Sequence, residues 1–281
     1  MLFISANAAM ERRLVSVELR QRVLSGAALI ALSLGALFFG TLTSALLIAA
    51  VGVGGSNEWI ELQKPPRRKL FILVSIACVL LMIGVGYTLR PVAGAMLGVV
   101  LMLLLFLFAA RVDFDRAGWI ALVVAYMGGG CLALLAIRML PEHGLSMTLY
   151  LLLVVWATDI GAFFVGRRLG GPKLLPQVSP SKTWSGLLGG MAAAGLLAFC
   201  YAKVQSVQLP ALAAGLAFVL AVVAQLGDLF ESYVKRRVGV KDSGCLIPGH
   251  GGVLDRVDGL VFAAMFLILF QSIVGEEIAW W

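Results

Sequence analysis

Long apolar stretches, separated by short polar ones, run through almost the whole of this 281-residue chain. A helix that crosses the hydrocarbon core of a bilayer needs about 20 apolar residues, each adding about 1.5 Å of length. The mean hydropathy of +0.99 agrees with repeated spans. We therefore predict an all-α, polytopic integral membrane protein with about nine transmembrane helices: 23–39, 41–60, 70–89, 91–110, 117–137, 147–166, 186–203, 209–227 and 259–275.

The distribution of Lys and Arg predicts the orientation of these spans. With nine spans, the two sides of the membrane hold very unequal numbers of cations. One side has 19 of the 22, in the N-terminal segment and four loops: 63–69, 111–116, 167–185 and 228–258. The other side has only Arg90, Arg138 and Lys203. Because cytoplasmic loops carry the excess of Lys and Arg, we predict a cytoplasmic N-terminus. This alternation explains the net charge of +7 better than nucleic-acid binding does.

Three regions of the chain are predicted to differ in role. Residues 1–22 form a cytoplasmic segment, residues 23–146 the N-terminal transmembrane helices, and residues 147–281 a transmembrane catalytic region with two cytoplasmic loops. The arginines before the first apolar run resemble a signal peptide, but no clear cleavage site follows, so we favour a retained first helix. The four cysteines show no CxxC or Cys/His spacing, which argues against disulfides and structural zinc.

The loop 228–258 concentrates acidic and basic residues between two apolar runs. Asp228, Ser232 and Lys235 would share one helix face if the eighth span continued past its apolar part. Asp255 and Asp258 would share a face at the start of the ninth span. Two helix ends would then bring three carboxylates to one point, which suits one or two divalent cations such as Mg²⁺. Lys and Arg suit phosphate. Local ion pairs are the alternative, although they contribute little stability.

The loop 167–185 places cations, hydroxyls and glycines just before a helix. Ser179 or Ser181 is a candidate N-cap, and the helix start with Lys182 and Thr183 would form an anion site. A basic loop that only touches anionic lipid headgroups is an equally good interpretation. The sequence lacks Gly-x-x-x-x-Gly-Lys-Ser/Thr, so this is not a P-loop.

Three further carboxylates lie in or near the spans. Asp159 lies inside the sixth span, where a carboxylate costs about 2.5–3.5 kcal/mol on insertion scales. Such residues usually face a polar cavity and serve function, although a structural hydrogen bond between helices is the alternative. Glu58 and Glu61, near the inner end of the second span, are explained by an interfacial, solvated location.

The polar motif of the C-terminal half resembles the signature of the phosphatidate cytidylyltransferase (CDP-diacylglycerol synthase) family. The matching residues are Ser232-x-Val-Lys235-Arg236-x4-Lys241-Asp242-x-Gly244-x2-Ile-Pro248-x-His250-Gly251-Gly252-Val-x-Asp255-Arg256-Val-Asp258. The segments 225–231 and 179–186 are also similar to segments of that family. The specific resemblance covers residues 155–262.

The resemblance implies a reaction in which CTP and phosphatidic acid give CDP-diacylglycerol and pyrophosphate with Mg²⁺. It implies Asp228 and Asp255 as metal ligands, with Asp258 third, and Ser232 at the metal or a phosphate. Asp242 would contact nucleotide or order the loop. Candidate substrate contacts are Lys173, Ser179, Lys182, Lys235, Arg236, Lys241, His250, Gly251, Gly252 and Arg256. The number of divalent cations, an additional monovalent cation and a homodimer are left open. The expected location is a bacterial inner membrane, with the active site at the cytoplasmic face.

Two other functions would also place carboxylates in a membrane protein. Asp255-x-x-Asp258-Gly259 superficially matches the start of a CDP-alcohol phosphotransferase motif, but the rest of that motif is absent. A secondary transporter would use Asp159 as a proton site near the midplane. Most of the charge lies instead at the cytoplasmic boundary, and no internal repeat is visible, so we favour the enzyme.

Overall fold

Helices make up nearly all of the computed structural model, which describes Gln21, residues 23–244, Leu246 and residues 251–274. A single hairpin of strands β1 (Lys173–Leu175) and β2 (Ser179–Thr183) interrupts the helices. The helices in chain order are α1 (Val23–Phe38), α2 (Thr41–Gln63), α3 (Arg68–Thr88), α4 (Pro91–Ala110), α5 (Phe114–Val123), α6 (Gly129–Arg138), α7 (Gly144–Leu169), α8 (Trp184–Val204), α9 (Pro210–Arg237) and α10 (Leu254–Val274).

Seven helices of the described residues are long and apolar enough to span a membrane. They are α3, α4, the continuous stretch Phe114–Arg138, α7, α8, α9 and α10. The chain is thus an integral membrane protein by length and composition of its helices. Helix α1 is shorter than these seven, and α2 ends in a polar turn that contains Asn57, Glu58 and Glu61. The count of nine and the cytoplasmic N-terminus therefore stay predictions.

The mostly helical fold agrees with the all-α prediction, and a short hairpin is the one addition to it within the described residues. Strands β1 and β2 pair antiparallel within the loop 167–185, with Lys173 opposite Thr183. The hairpin corrects the predicted helix cap. Ser179 and Ser181 lie in the extended strand β2, and the hydroxyl of Thr183 accepts the hydrogen bond from Gly186 N (3.1 Å) at the start of α8. The cap is therefore the residue at which the strand ends, two to four positions after the predicted ones.

Close helix packing rests on small residues. Helix α7 packs on α8, α8 on α9, and α9 on α10. A Cβ on Gly161 of α7 would lie 2.7 Å from the Cβ of Ala193 and 2.8 Å from the carbonyl oxygen of Gly189 on α8. Glycine at such positions lets two backbones approach closely, which is how helices associate without a hydrophobic driving force.

Candidate active site

Helices α9 and α10 cross where each carries a glycine, and this crossing brings two aspartates together. A Cβ on Gly227 would collide with the backbone of Asp258, and one on Gly259 would lie 2.8 Å from Asp228 Oδ1. Helix α9 continues past Asp228 to Arg237, and α10 begins at Leu254, before its aspartates. The structure therefore places Asp228 and Asp258 next to each other at this crossing.

The hairpin delivers a lysine to this crossing. Lys182 of β2 donates a hydrogen bond to Asp228 (Nζ to Oδ2, 2.7 Å), and both side chains are about one-fifth exposed. Lys182 and Asp228 are 46 residues apart in sequence, so this pair connects the loop 167–185 to the loop 228–258. Lys182, predicted to contact phosphate, thus lies at the carboxylates with its ammonium group already oriented.

Asp255 is held by the loop that precedes α10. Its Oδ1 accepts from Lys235 Nζ (2.5 Å), and its Oδ2 accepts from Ser243 N (3.1 Å), Ser243 Oγ (2.8 Å) and Gly252 N (2.8 Å). Gly251, with φ of +80°, is needed here because a Cβ would lie 2.8 Å from Asp255 Oδ2. Asp255 therefore connects Ser243 and Gly252 to the start of α10.

Glu231 belongs to the same cluster, and the sequence analysis assigned it no role. Its side chain is 2% exposed and pairs with Lys235 (Oε2 to Nζ, 2.5 Å), so Lys235 lies between Glu231 and Asp255. Among the described residues, its Oε1 is buried without a hydrogen-bond partner. The spacing of Asp228, Glu231 and Lys235 at i, i+3 and i+7 was the signal that could have identified it.

Glu58 corrects the prediction of a solvated interfacial residue. It is 2% exposed, and its carboxylate accepts from Val253 N and Leu254 N, each at 2.9 Å, and from Ser243 Oγ at 3.1 Å. It thereby caps α10 from the distant helix α2. A Cβ on Gly244 would lie 2.7 Å from Glu58 Oε1, and one on Gly252 would collide with the same carboxylate. The glycines of the signature therefore make room for Glu58.

A buried aromatic cluster lies next to these carboxylates. A π-helical turn (Val124–Gly128) joins α5 to α6 and carries Tyr126. The Tyr126 ring lies 5.1 Å from Trp59, 5.5 Å from Phe230 and 6.0 Å from Phe262, measured between ring centroids. Its hydroxyl is buried without a hydrogen-bond partner in the described part of the chain, and it lies in the field of Asp258, Glu231 and Asp228. π-turns of this kind occur frequently at functional sites.

Asp159 and Arg256 lie at the open side of the cluster. Both side chains are exposed on the protein surface. Asp159 interacts electrostatically with Asp228, Lys182 and Arg256, so the carboxylate of α7 belongs to the same charged region.

The other predicted site residues differ in how far they are buried. Ser232 is half-buried on α9, and Ser179 is buried on β2. Arg236 donates to the carbonyl oxygens of Val178 (3.4 Å) and Val240 (3.1 Å). Lys173, Lys241 and Asp242 are exposed. His250 lies outside the described residues.

The carboxylates of Asp228, Asp258 and Glu231 are the oxygen donors that could hold a divalent cation. No three His, Cys, Asp or Glu side chains within residues 23–244 and 251–274 are arranged to hold a metal ion. Mg²⁺ commonly uses only one or two carboxylates, with waters and substrate phosphates as its other ligands. Asp228 and Asp258 repel each other across the α9–α10 crossing, and Glu231 adds to that repulsion. Adjacent, mutually repelling carboxylates with a buried unpartnered oxygen fit such a cation.

Comparison with known proteins assigns the chain to a family. The profile of the cytidylyltransferase family matches residues 20–274. A phosphatidate cytidylyltransferase of Brucella suis biovar 1 (strain 1330) is 40% identical over 263 residues, which cover 92% of this chain and 95% of the relative. The enzyme of the same name from Bacillus subtilis (strain 168) is 36% identical over 269 residues, covering 92% and 99%. One from Haemophilus influenzae (strain ATCC 51907 / DSM 11121 / KW20 / Rd) is 47% identical over 139 residues, 48% of each chain. The resemblance carried by the C-terminal motif is therefore confirmed, and this chain belongs to the cytidylyltransferase family.

Proposed function

We propose that the protein transfers CMP from CTP to phosphatidic acid, giving CDP-diacylglycerol and pyrophosphate. The observation that carries the proposal is the convergence of Lys182, Asp228 and Asp258 from three separate elements, with exposed Arg and Lys around them. A site of this charge in a membrane protein suits a lipid phosphate and a nucleoside triphosphate together. The relatives that cover most of the chain carry the name of this activity.

The chemistry is a displacement at phosphorus. An oxygen of the lipid phosphate forms a bond to the α-phosphorus of CTP, the bond from that phosphorus to the bridging oxygen of the β-phosphate breaks, and pyrophosphate leaves. The lipid phosphate is already anionic at neutral pH, so the step needs no strong general base. Catalysis rests mainly on alignment and charge stabilisation, as in other phosphoryl transfers.

Different residues of the site have different roles in binding the substrates. Lys182 and Arg256 contact phosphate oxygens, and Arg236, Lys241 and Lys173 provide further positive charge on the exposed side. Lys235 is less available for phosphate, because Glu231 and Asp255 already hold its ammonium group. Ser232 lies one turn after Asp228 and contacts a phosphate or a cation, and Asp242 contacts nucleotide or orders the loop.

A divalent cation, which we propose to be Mg²⁺, would be held by Asp228 and Asp258, with Asp255 as the third candidate ligand. When bound, it supplies charge neutralisation at the triphosphate. Asp255 is the weakest of the three candidates in geometry, because its oxygens already accept four hydrogen bonds. Glu231 is a better candidate than Asp255 to assist the cation, because its Oε1 is buried without a hydrogen-bond partner in the described part of the chain.

We further propose nine spans, a cytoplasmic N-terminus and an active site at the cytoplasmic face of a bacterial inner membrane. The unequal distribution of Lys and Arg supports this orientation, since CTP must reach the site from the side that carries the cations. A homodimer is a hypothesis that the mass of the detergent-solubilised protein would test.

Purified protein incubated with CTP, phosphatidic acid and Mg²⁺ tests the function directly. We expect CDP-diacylglycerol and pyrophosphate in equal amounts, and neither product when the lipid is omitted. Asp228→Asn, prepared in the same way, serves as the inactive control. Release of pyrophosphate without lipid product, or consumption of CDP-diacylglycerol with an alcohol, would contradict the proposal.

A further inference from the structure

A large apolar groove lies beside the charged site, and no step described above uses it. Its volume is about 460 Å³, and residues of α1, α2, α6, α7 and α10 line it. On α1 the lining residues run from Gly26 to Leu37. At about 1.5 Å per residue this length is on the order of 16 Å, roughly half of the ~30 Å hydrocarbon core of a bilayer. The groove therefore has the depth of one leaflet.

The polar groups at the far end of the groove are already satisfied. Ser44 Oγ donates to the carbonyl oxygens of Ala36 or Gly40, and Thr148 Oγ1 donates to that of Gly144 (2.6 Å). Their hydroxyls therefore present no unmet hydrogen bond to an occupant. The neighbouring wall is formed by Leu37, Leu134 and Leu152. Such a lining suits a hydrocarbon chain better than water or a polar ligand.

The other end of the groove meets the charged site. Arg256 and Val253 line the groove at the start of α10, and Trp156 lines it on α7. Arg256 interacts electrostatically with Asp159, which lies one turn after Trp156 and in the field of Asp228. A molecule with an anionic head and an apolar tail would therefore place its head at Arg256 and its tail between the helices.

We propose that this groove holds one acyl chain of the phosphatidic acid substrate and orients the lipid phosphate for attack on CTP. This inference rests on the proposed function and deepens it. Arg256 supplies the charge complementarity, and the one-leaflet depth fits a single chain. The helices α1 and α2, which belong to the half of the chain outside the signature, would then select the lipid.

A substitution that fills the groove tests the proposal. Ala50 of α2 lines the groove and is exposed, so Ala50→Phe adds bulk there without overfilling the protein core. We expect the ratio of kcat/KM for dioleoyl over dihexanoyl phosphatidic acid to fall about tenfold or more, since misplacing a reacting group can cost on the order of 100-fold. The KM for CTP should not change.

Ala95→Phe is the matched control, because Ala95 is also exposed, lies on α4 and is not among the residues that line the groove. It should leave the ratio unchanged. Equal losses for both lipids in Ala50→Phe would overturn the proposal and point to a bilayer lipid that only stabilises the fold. An unchanged ratio would overturn it as well. The wild-type protein should turn over both lipids. If it does, a negative result with Ala50→Phe counts against the groove and not against the proposed function.

A second experiment uses the wild-type protein and does not depend on a variant that folds. Phosphatidic acid with a diazirine near the end of one acyl chain is photolysed in the presence of the protein, and the adducts are located by peptide mass. We expect adducts on the groove residues of α1, α2 and α7, and competition by unlabelled phosphatidic acid. Adducts spread over the outward faces of α3 and α4, without such competition, would contradict the assignment.

Discussion

Glu58 and Asp255 hold the same serine hydroxyl: Ser243 Oγ lies 3.1 Å from Glu58 Oε2 and 2.8 Å from Asp255 Oδ2. The serine has one hydroxyl proton for these two acceptors. Each carboxylate is held mainly by other donors, Glu58 by Val253 N and Leu254 N, and Asp255 by Lys235 and Gly252 N. Helix α2 is thereby connected to the start of α10, which carries the candidate active-site residues Asp255 and Asp258.

The first prediction follows from this connection. Glu58→Ala leaves the backbone N–H groups of Val253 and Leu254 without their acceptor, and an unsatisfied buried donor such as that of Leu254 costs about 1–3 kcal/mol. We expect a lower free energy of unfolding and a loss of kcat of at least about tenfold, because the start of α10 carries the active-site aspartates. Glu58→Gln retains one acceptor oxygen and should fall between wild type and Glu58→Ala in both measurements.

Glu61, on the same helix, is the control for Glu58. It forms an ion pair with Arg68, and the two side chains are 38% and 52% exposed. Exposed pairs contribute about 0–1 kcal/mol, so Glu61→Ala should change unfolding and turnover little. If Glu58→Ala and Glu61→Ala lose similar amounts of stability and turnover, the hydrogen bonds of Glu58 to the start of α10 are not the cause of the loss.

The second prediction concerns Asp228, which we propose as a metal ligand. Asp228→Asn should abolish turnover and leave membrane insertion intact, since an amide is a much weaker ligand than a carboxylate for a hard cation. Asp115→Asn, an exposed aspartate in the first turn of α5, is the matched control. A purified Asp228→Asn variant that retains more than about a tenth of the wild-type rate at saturating Mg²⁺ would remove Asp228 from the metal site.

Asp255→Asn should also abolish turnover, but the structure gives it a different signature. Its carboxylate accepts hydrogen bonds from Lys235, Ser243 and Gly252, so its loss should disorder the loop as well as reduce activity. Protease cleavage within residues 238–253 should be faster in Asp255→Asn than in Asp228→Asn. Equal cleavage rates would assign the effect of Asp255 to the metal alone.

The parts of the fold that local sequence determines were predictable. The apolar runs predicted the long helices, and the i, i+3 spacing of Asp255 and Asp258 predicted their position at a helix start, because hydropathy and helical periodicity are read within one segment. The hairpin was missed, since its strands have three and five residues and prolines at 172, 176 and 180 favour a loop interpretation.

The role of Glu58 was not predictable from local sequence. Its hydrogen bond to Val253 joins residues 195 positions apart, and no pattern near Glu58 tells which loop will pack against it. An acidic residue at the end of a span is usually solvated, so hydropathy predicted a solvated Glu58, whereas the structure buries it. Glu231, unlike Glu58, could have been identified from local sequence, because its helical spacing places it on the face of Asp228 and Lys235. Only its burial could not be predicted.

The third prediction tests the orientation in the membrane. Glu142 and Gln177 are both exposed on the structure, and the distribution of Lys and Arg places them on opposite sides. In a cysteine-free background, an impermeant maleimide added to intact cells should label Glu142→Cys and not Gln177→Cys. The background must remove the exposed Cys200, among others. Labelling of both positions, or of Gln177→Cys alone, would contradict the nine-span topology.

The fourth prediction concerns the phosphate contacts. Lys182→Ala and Arg256→Ala should each lower kcat/KM for CTP, because a hydrogen bond to a charged group is worth about 1.5–3 kcal/mol, or roughly 10- to 150-fold. Lys182→Ala also leaves Asp228 without its partner, so its effect should be the larger. Lys203→Ala is the control, since Lys203 lies over the Phe199 ring near the far end of α8. An unchanged kcat/KM in Arg256→Ala would remove it from the site.

The last prediction concerns Asp159, for which the sequence allowed both a structural and a functional role. If the carboxylate only braces two helices, its loss should lower the melting temperature more than the rate. Asp159 interacts electrostatically with Asp228, Lys182 and Arg256, which all belong to the candidate active site. We therefore expect Asp159→Asn to unfold at nearly the wild-type temperature and to turn over more slowly. Melting temperature and rate measured on one preparation decide between the two roles, and a large loss of melting temperature with near-normal turnover would refute the functional one. The alternative of a proton-coupled transporter would require substrate flux that depends on Asp159 and not on CTP, which the same preparation reconstituted in vesicles would reveal.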